Sequence, residues 1–553
     1  MKNFKQYIGL VSVISFTFLF SCKEDFLERP PKDAIVDGSF YQNDDQVLAG
    51  TALLYNKVWF DYNDKASYNL GDFRGGTAFS AYNDRGNVEF NTTANTPENG
   101  SSWRAFFNVV GQSNTAIQNI NRYAGAGVSP NLKKYAIAEA RFMRSVAYRF
   151  LVMNWGAVPI IENNLTLLSD TTITRHTVES VWKYITREMR AAAADLPEVS
   201  MLTGRVNKWS AEAMLARFYL TRAGMGGSSG SRNQMFLDSA KYYAKHVIDQ
   251  SGASLVTSYD KLFLFPYDNN QESLFSLQWF YSGPTTWGTQ NSTPAYLAYS
   301  ADIANGDGWG GDKGATLWML QQYDGFIENG KTLDQRLKAT FMLPGATYPE
   351  ITQTITGGEQ KLVFPFTGTD NNFSAIKKYV IGKAKDVNGE AASQRYGNDT
   401  YMIRLAEVYM IYAEAILGNN ASTVDASALL YFNKVHTRAG LPPMEDPLTF
   451  DDIFKERIVE FAMEGMAWYD LVSLHYYNPT KAYSIISNQD RALYFVEPNQ
   501  FPNPSSWKVT PTAWVASRTY IANSGNFLIP IPAAELSQAP NLNKAPVEYN
   551  FNK

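Results

Sequence analysis

A mostly α-helical fold, built as a solenoid of helical hairpins with one long loop-rich insertion, is predicted by three observations on this 553-residue chain. Apolar residues recur every three or four positions in segment after segment. The segments come in pairs, separated by short breaks rich in Gly, Pro and Asn. Between Leu255 and Thr400 the periodicity disappears, and Gly, Asn, Asp, Pro and aromatic residues take its place.

The first periodic stretch of length runs from Trp103 through Ile117 and Ile120 to Tyr123, and Gly125 is its stop. Lys133 to Asn154 follows, with Ile137, Ala140, Met143, Ala147, Phe150 and Leu151 on one stripe. Val178 to Leu196 is halted by Pro197, and Ala211–Ala223 with Leu237–Ile248 make another pair. The pattern returns at Tyr401, where Leu405, Val408, Tyr409, Tyr412 and Ile416 line one face. Its partner is expected to start at a capping box of Ser422 and Asp425 and to end at Ala439-Gly440, with Pro442 beyond. Thr449 and Asp452 cap a last long helix, whose stripe runs through Phe454, Ile458, Phe461 and Ala462. Roughly four pairs of this size predict a tetratricopeptide-like solenoid without a strict repeat consensus. Within the insertion, Ser273 to Phe280 alternates as a strand does.

Composition narrows the function classes. With 45% hydrophobic and 18% charged residues the chain is ordinary for a globular protein. The 14% aromatic content is less so, because many rings lie in Gly-, Asn- and Asp-rich stretches where no apolar partner is in sight. No Lys/Arg-rich block exists to neutralise phosphates, which argues against nucleic acid. Four His, none near another, offer no zinc set. A hard cation such as calcium could be held among the Asp/Asn loops, although no D-x-[DN]-x-[DN]-G run encodes it; no other cofactor is expected.

The N-terminus reads as an export signal. Lys2 and Lys5 precede an apolar run of 13 residues, Ile8 to Phe20, too short for a bilayer core that needs about twenty. Leu19-Phe20-Ser21-Cys22 resembles the bacterial lipobox, and Cys22 is the only cysteine, so no disulfide competes for it. A diacylglyceryl Cys22 would anchor the chain to a membrane. Lys23-Glu24-Asp25 resembles the export signal that takes lipoproteins to the outer face in Bacteroidetes, and Pro30-Pro31 stiffens the tether. Without Lys2 and Lys5 the mature balance is 47 basic against 53 acidic residues.

Several blocks together resemble the SusD/RagB family of outer-membrane nutrient-binding lipoproteins. They are Ala138-Glu139-Ala140-Arg141-Phe142-Met143-Arg144 with Asn154-Trp155-Gly156-Ala157-Val158-Pro159-Ile160, then Arg205-Val206-Asn207-Lys208. Ile403-Arg404-Leu405-Ala406-Glu407-Val408-Tyr409, Arg438-Ala439-Gly440-Leu441, Glu456-Arg457 through Gly465 and Leu528-Ile529-Pro530-Ile531-Pro532 follow in that family's order. Met463 and Met466-Ala467 depart from it. The resemblance implies a helical body of four tetratricopeptide-like units that acts as the lid of a SusC-like TonB-dependent barrel. It also implies capture of an oligosaccharide or polysaccharide at the cell surface, with binding and no catalysis. The division then expected is a signal peptide over 1–21, a lipidated tether over 22–42, an N-terminal helical part over 43–254, a ligand-binding insertion over 255–400 and a C-terminal helical part over 401–553. Capture of peptides in the manner of RagB, and a helical-barrel glycoside hydrolase, are the rival readings.

A glycan site needs flat aromatic faces for the apolar side of sugar rings and planar polar groups for adjacent hydroxyls. Two stretches supply both. Tyr68 to Arg85 offers Asp72, Arg74, Tyr82 and Asn83, and Tyr281 to Trp309 offers Trp287, Asn291, Tyr296 and Trp309, with Gln290 and Tyr299 beside them. Trp287 and Trp309 lead because glycines and polar residues surround them. Neither stretch carries an Arg/Lys cluster, which favours a neutral glycan. Gly325 to Thr332 spells GxxxxGK[ST] and Gly306 to Gly311 spells GxGxxG, but neither follows a strand, so both read as loops. The acids and arginines of the helical blocks, Glu139, Glu407, Glu460 and Arg404 among them, read as interhelical ion pairs rather than as the facing carboxyls of a glycosidase, which lie about 5 to 9.5 Å apart.

Overall fold

The computed structural model describes residues 40–81, 85–168, 172–227, 230–283, 287–365, 372–513 and 517–552. The lipobox, Cys22 and nearly all of the tether lie outside the described residues, as do Tyr82 and Asn83. Eleven helices carry the argument. They are α1 (Asp44–Ala52), α2 (Pro97–Tyr123), α3 (Pro130–Trp155), α4 (Val178–Asp195), α5 (Lys208–Ala223), α6 (Gln234–Gln250), α7 (Leu405–Leu417), α8 (Ala426–Arg438), α9 (Phe450–Glu460), α10 (Ala467–His475) and α11 (Pro479–Ser487).

Local chemistry sets most of these boundaries. Pro97 and Pro130 sit in the first turns of α2 and α3, where a missing N–H costs nothing. Ser129, Thr177 and Asn233 accept the orphan amides of α3, α4 and α6. Asn207 and Ser210 cap α5 reciprocally, and Thr449 and Asp452 do the same for α9, as the sequence predicts. Helices α2 to α8 then pack each on the next, including α6 on α7 across the insertion. The result is the tetratricopeptide-like solenoid expected. Helix α3 is buried on nearly every face, because α2 and α4 flank it and Trp59 and Tyr62 cover Phe150 from a third side.

Three expectations are corrected. Residues 401–404 are not the start of α7 but belong to strand β4 (Thr400–Arg404). With β1 (Ser273–Leu277), β2 (Thr347–Ile355) and β3 (Gly358–Val363) numbered before it, β4 pairs antiparallel with β1, Thr400 opposite Leu277. Tyr401 and Ile403 suit a strand as well as a helix, and a partner 120 residues away in sequence decides between them. Ser422 and Thr423 likewise pair with Leu448 and Thr449, so Asp425 alone caps α8, accepting from Ser427 N at 2.9 Å and Ala428 N at 3.0 Å. Helix α9 stops at Glu460 instead of running through Phe461 and Ala462.

The stop has a visible cause. Asp72 accepts from the backbone N–H groups of Met463 at 2.7 Å and Gly465 at 2.8 Å, and both of those residues have positive φ. Asp72 lies in one of two successive π-helical turns, Tyr62–Ala66 and Tyr68–Phe73, which form a buried spine between α1 and α2. Beside it a Cβ on Gly71 would lie 2.4 Å from the Gly465 backbone. Only a glycine allows this approach, so Gly71→Ala is expected to destabilise the protein by about 2 to 3 kcal/mol. A lower urea midpoint with an unchanged slope would verify it; an unmoved midpoint would mean the two chains separate freely.

The helical charges form ion pairs. Buried Glu139 takes Arg205 at 2.9 Å, Arg404 binds Glu272 at 2.5 Å and Glu464 at 2.8 Å, and Arg336 reaches Glu456 at 2.6 Å. The chain's end straps back over the solenoid, with Ile529 N donating to Asn154 O at 2.8 Å and Thr177 N to Val547 O at 3.0 Å. Leu317–Leu320 ahead of the GxxxxGK[ST] stretch is a helical turn and Phe326–Asn329 inside it is another, so no strand delivers a phosphate loop there. Among the described residues, no helix is long and apolar enough to cross a membrane.

Candidate functional site

The insertion presents an aromatic and polar surface through two short loops and the turn between them. Trp287 is 51% exposed, and its ring packs T-shaped against that of Phe60, with the centroids 5.0 Å apart. The guanidinium of Arg395 lies 5.6 Å from the Trp287 ring centre. Arg395 belongs to a tight hairpin in which Ala391-Ala392 pairs with Arg395-Tyr396 and Gln394 takes a positive φ. The hairpin is fixed from below, because the Tyr396 backbone exchanges hydrogen bonds with Asn291 at 2.8 and 3.0 Å.

The same hairpin reaches the second loop. Ser393 Oγ donates to Asp307 at 2.9 Å and Gln394 Nε2 donates to the same oxygen. Two residues on, Trp309 is 60% exposed, and its backbone N–H is held by Ala295 O at 2.9 Å. Gly310 lies so close to the 295–298 segment that a Cβ would stand 2.0 Å from Leu297 O, which is why the loop around Trp309 is glycine-rich. Lys313 supports it by donating to Trp309 O at 2.8 Å while lying 4.6 Å over the Tyr296 ring. Asp312 then accepts from Ser80 Oγ at 3.1 Å and Ala81 N at 2.7 Å. The chain that leads into Tyr82 and Asn83 is thereby tied to the Trp309 loop.

Four predicted site residues turn inward instead. Asn291 is fully buried, accepting from Asn63 Nδ2 at 2.8 Å and donating to Asn398 O at 2.8 Å, so its amide is consumed in the scaffold. Tyr296 is buried under Lys313 and beside Tyr68. Asp72 is the brace described above. Arg74 sits between the rings of Phe90 and Trp468, at 5.1 and 4.7 Å, and donates to Asn87 and to Asn526 O. These side chains position the surface and are corrected from ligand contacts to supports; the reason is that a π-helical spine, not a loop, occupies residues 62–73, holding Asp72 itself and meeting Asn291 through Asn63 and Tyr296 through Tyr68, while Arg74 follows directly on it. Gln290 is also buried.

Sequence reasoning missed Phe60, Phe280, Arg395, Gln394 and Asp307. Phe280 is half exposed and its backbone pairs with Thr289 O, next to the Trp287 loop. Only the aromatic Phe60 and Phe280 carried a signal, and Phe280 lay at the end of a segment that read as a strand. Arg395 is drawn in by the hairpin alone. Among the described residues no three His, Cys, Asp or Glu side chains gather as a metal set.

Two acids underlie this surface. Asp399 accepts from Trp279 N at 3.0 Å and Gln278 Nε2 at 2.7 Å, and its own N–H donates to Asp268 at 2.8 Å. Burial first, and the charge of Asp268 second, push the Asp399 carboxyl well up, and burial pushes Asp268 up to about 6. Asp72 is pushed from 3.8 to about 7, again by burial, despite its amide donors. Glu407 and Glu460 go the other way, to about 2 from 4.5. Burial works against their ionisation, and Arg217 with Arg457, or Arg438 with Arg404 and Arg336, overcome it.

The signs predict the pH profile. A raised carboxyl favours the folded state below its unfolded pKa and loses that contribution as pH rises through the folded value. Glu407 and Glu460 contribute above their unfolded value and lose it as pH falls toward 2. His475, lowered by burial, opposes the decline only below its ordinary value of 6.5. The thermal midpoint is expected to peak at about pH 5 and to fall by pH 7.5. A midpoint that climbs steadily from pH 5 to 7.5 would contradict it.

The whole arrangement has counterparts. Residues 271–549 match the family described as "SusD family", and residues 26–220 match that described as "Starch-binding associating with outer membrane". A SusD-like protein of Bacteroides ovatus is 34% identical over 568 aligned residues, covering 100% of both chains. A structure solved with xylogluco-oligosaccharide is 33% identical, with a TM-score of 0.80 over 92% of this chain and 100% of that one. A laminarin binding SusD-like protein, 20% identical, shares the fold with a TM-score of 0.65 over 91% of this chain and 99% of its own. From the first helical pair to the C-terminal strap, then, this chain belongs to the SusD family.

Proposed function

We infer that the protein is a surface lipoprotein, anchored to the outer membrane through Cys22, that binds a neutral oligosaccharide and delivers it to a SusC-like TonB-dependent barrel. The observation that carries the reading is the pair of exposed indoles, Trp287 and Trp309, joined by a turn whose Arg395 and Gln394, with Asp307 of the Trp309 loop, are planar and polar. Indole faces cover the apolar side of a sugar ring, and planar groups match vicinal hydroxyls. Arg395 and Asp307 balance in charge, which suits an uncharged ligand better than a polyuronate. The relative solved with xylogluco-oligosaccharide makes branched, neutral glucans the first ligands to try. Binding without turnover fits the acids, since Glu139, Glu407 and Glu460 are bound by arginines in the interior and Asp399 by backbone and amide donors.

Calorimetry of residues 23–553 against xylogluco-oligosaccharides, laminarin, starch and a polyuronate, with product analysis of each mixture, tests this. Saturable heat with one neutral glycan and intact ligand afterwards is expected. Silence with every glycan but binding of peptides would replace the ligand class, and shortened glycan would overturn the absence of catalysis.

A further inference from the structure

A cavity of about 40 Å³ lies inside the solenoid, away from the indole surface, between α3, α5, α7, α9 and α10. The charged part of its wall consists of four arginines, Arg149, Arg217, Arg232 and Arg457, and three acids, Glu407, Glu414 and Asp470. Arg217 is paired with Glu407, Arg232 with Glu414 at 2.5 Å, and Arg457 with Asp470 at 2.7 Å. Among the described residues the fourth cation, Arg149, forms no ion pair, and Glu407 and Asp470 act on it only from beyond ion-pair distance. Arg149 is 2% exposed and lies 5.1 and 4.8 Å from the rings of Phe150 and Tyr469. Its Nε and Nη1 find no hydrogen-bond partner among the described residues, nor does Nη1 of Arg457.

A buried guanidinium without a counter-charge is among the costliest groups a fold can contain. We propose that the cavity binds one small monovalent anion of the halide class, held by Arg149 and the free Nη1 of Arg457. Water occupies about 10 to 15 Å³ on the same measure, so the space admits a halide with one or two waters and excludes a phosphate ester or a sugar acid. One negative charge equalises the wall. The apolar side, from Ile411, Phe454 and Leu474, strips the ion of most of its hydration, which selects a weakly hydrated halide over a strongly hydrated oxyanion.

Crystals of the full chain grown in sodium bromide should show one anomalous peak beside Arg149. In solution the thermal midpoint should rise by about 1 to 3 °C per tenfold increase in chloride once the site begins to fill, and not with gluconate at equal ionic strength. Arg149→Met should remove that slope. Density for water alone with no bromide signal, or an equal response to chloride and gluconate, would overturn the site. The bromide signal is read on the unmodified chain, so a variant that fails to fold leaves the test intact.

Discussion

Glu460→Ala is expected to lower the unfolding free energy by about 4 kcal/mol. Glu460 is fully buried, and its carboxylate accepts from Arg404 at 3.0 Å, Arg336 at 3.2 Å and Arg438. Each of these arginines comes from a different part of the chain. Arg404 ends β4, Arg438 ends α8, and Arg336 starts a short helix of the insertion, so one side chain joins α9 to three neighbours. Glu272, which Arg404 and Arg438 also share at 2.5 and 2.6 Å, would be left with a surplus of positive charge around it. Removing one partner of a buried network strands the others, which costs far more than the pair itself is worth. Urea denaturation followed by circular dichroism would measure it. A loss below about 1 kcal/mol would place the network in the class of exposed pairs.

Trp287→Ala is expected to weaken oligosaccharide binding about 30-fold, equivalent to about 2 kcal/mol, while leaving the urea midpoint where it is. The indole is half exposed, with Phe60 and Arg395 beside its ring, so its removal opens no enclosed cavity. Trp309→Ala should behave alike, because its loop is held by backbone contacts to Ala295 and Ala298 rather than by the ring. Asp72→Ala supplies the contrast. It strands two buried amides, so stability falls by about 2 to 4 kcal/mol while the folded fraction keeps its affinity. If Trp287→Ala bound as tightly as the parent, the platform would lie elsewhere on the insertion. If Asp72→Ala lost affinity in its folded fraction, the inward placement of Asp72 would be insufficient to describe its role.

The helical body was legible because its signals are local. Pro197 ends a helix by its own ring geometry and the Thr449–Asp452 box closes within four residues, whereas the starts at Pro97 and Pro130 lie ahead of the expected Trp103 and Lys133. Apolar spacing marked α7 as a helix but not its burial, which extends to every face and leaves Ile416 of the expected stripe only half-buried. Trp287 and Trp309 were legible for a related reason, since a large ring among glycines and polar residues has no nearby apolar group to bury it.

The rest rests on contacts between residues far apart in the chain. Asn291 and Asp72 carry the same planar polar groups as a sugar ligand site, and nothing beside them in sequence reveals that Asn63 and Gly465 consume those groups. Tyr401 to Arg404 has helical spacing, yet β1 captures it as a strand. Arg395 enters the candidate surface only because Tyr396 pairs with Asn291 beneath it. By itself, then, the sequence determined the helical pairs of the solenoid, their order, the family and the exposure of the two indoles, because periodicity, caps and the company a residue keeps act over a few positions. Tertiary structure alone decided which polar groups face solvent, since a side chain's hydrogen bonds are satisfied by whatever the folded chain brings within 3 Å of it, and that partner is seldom its neighbour in sequence.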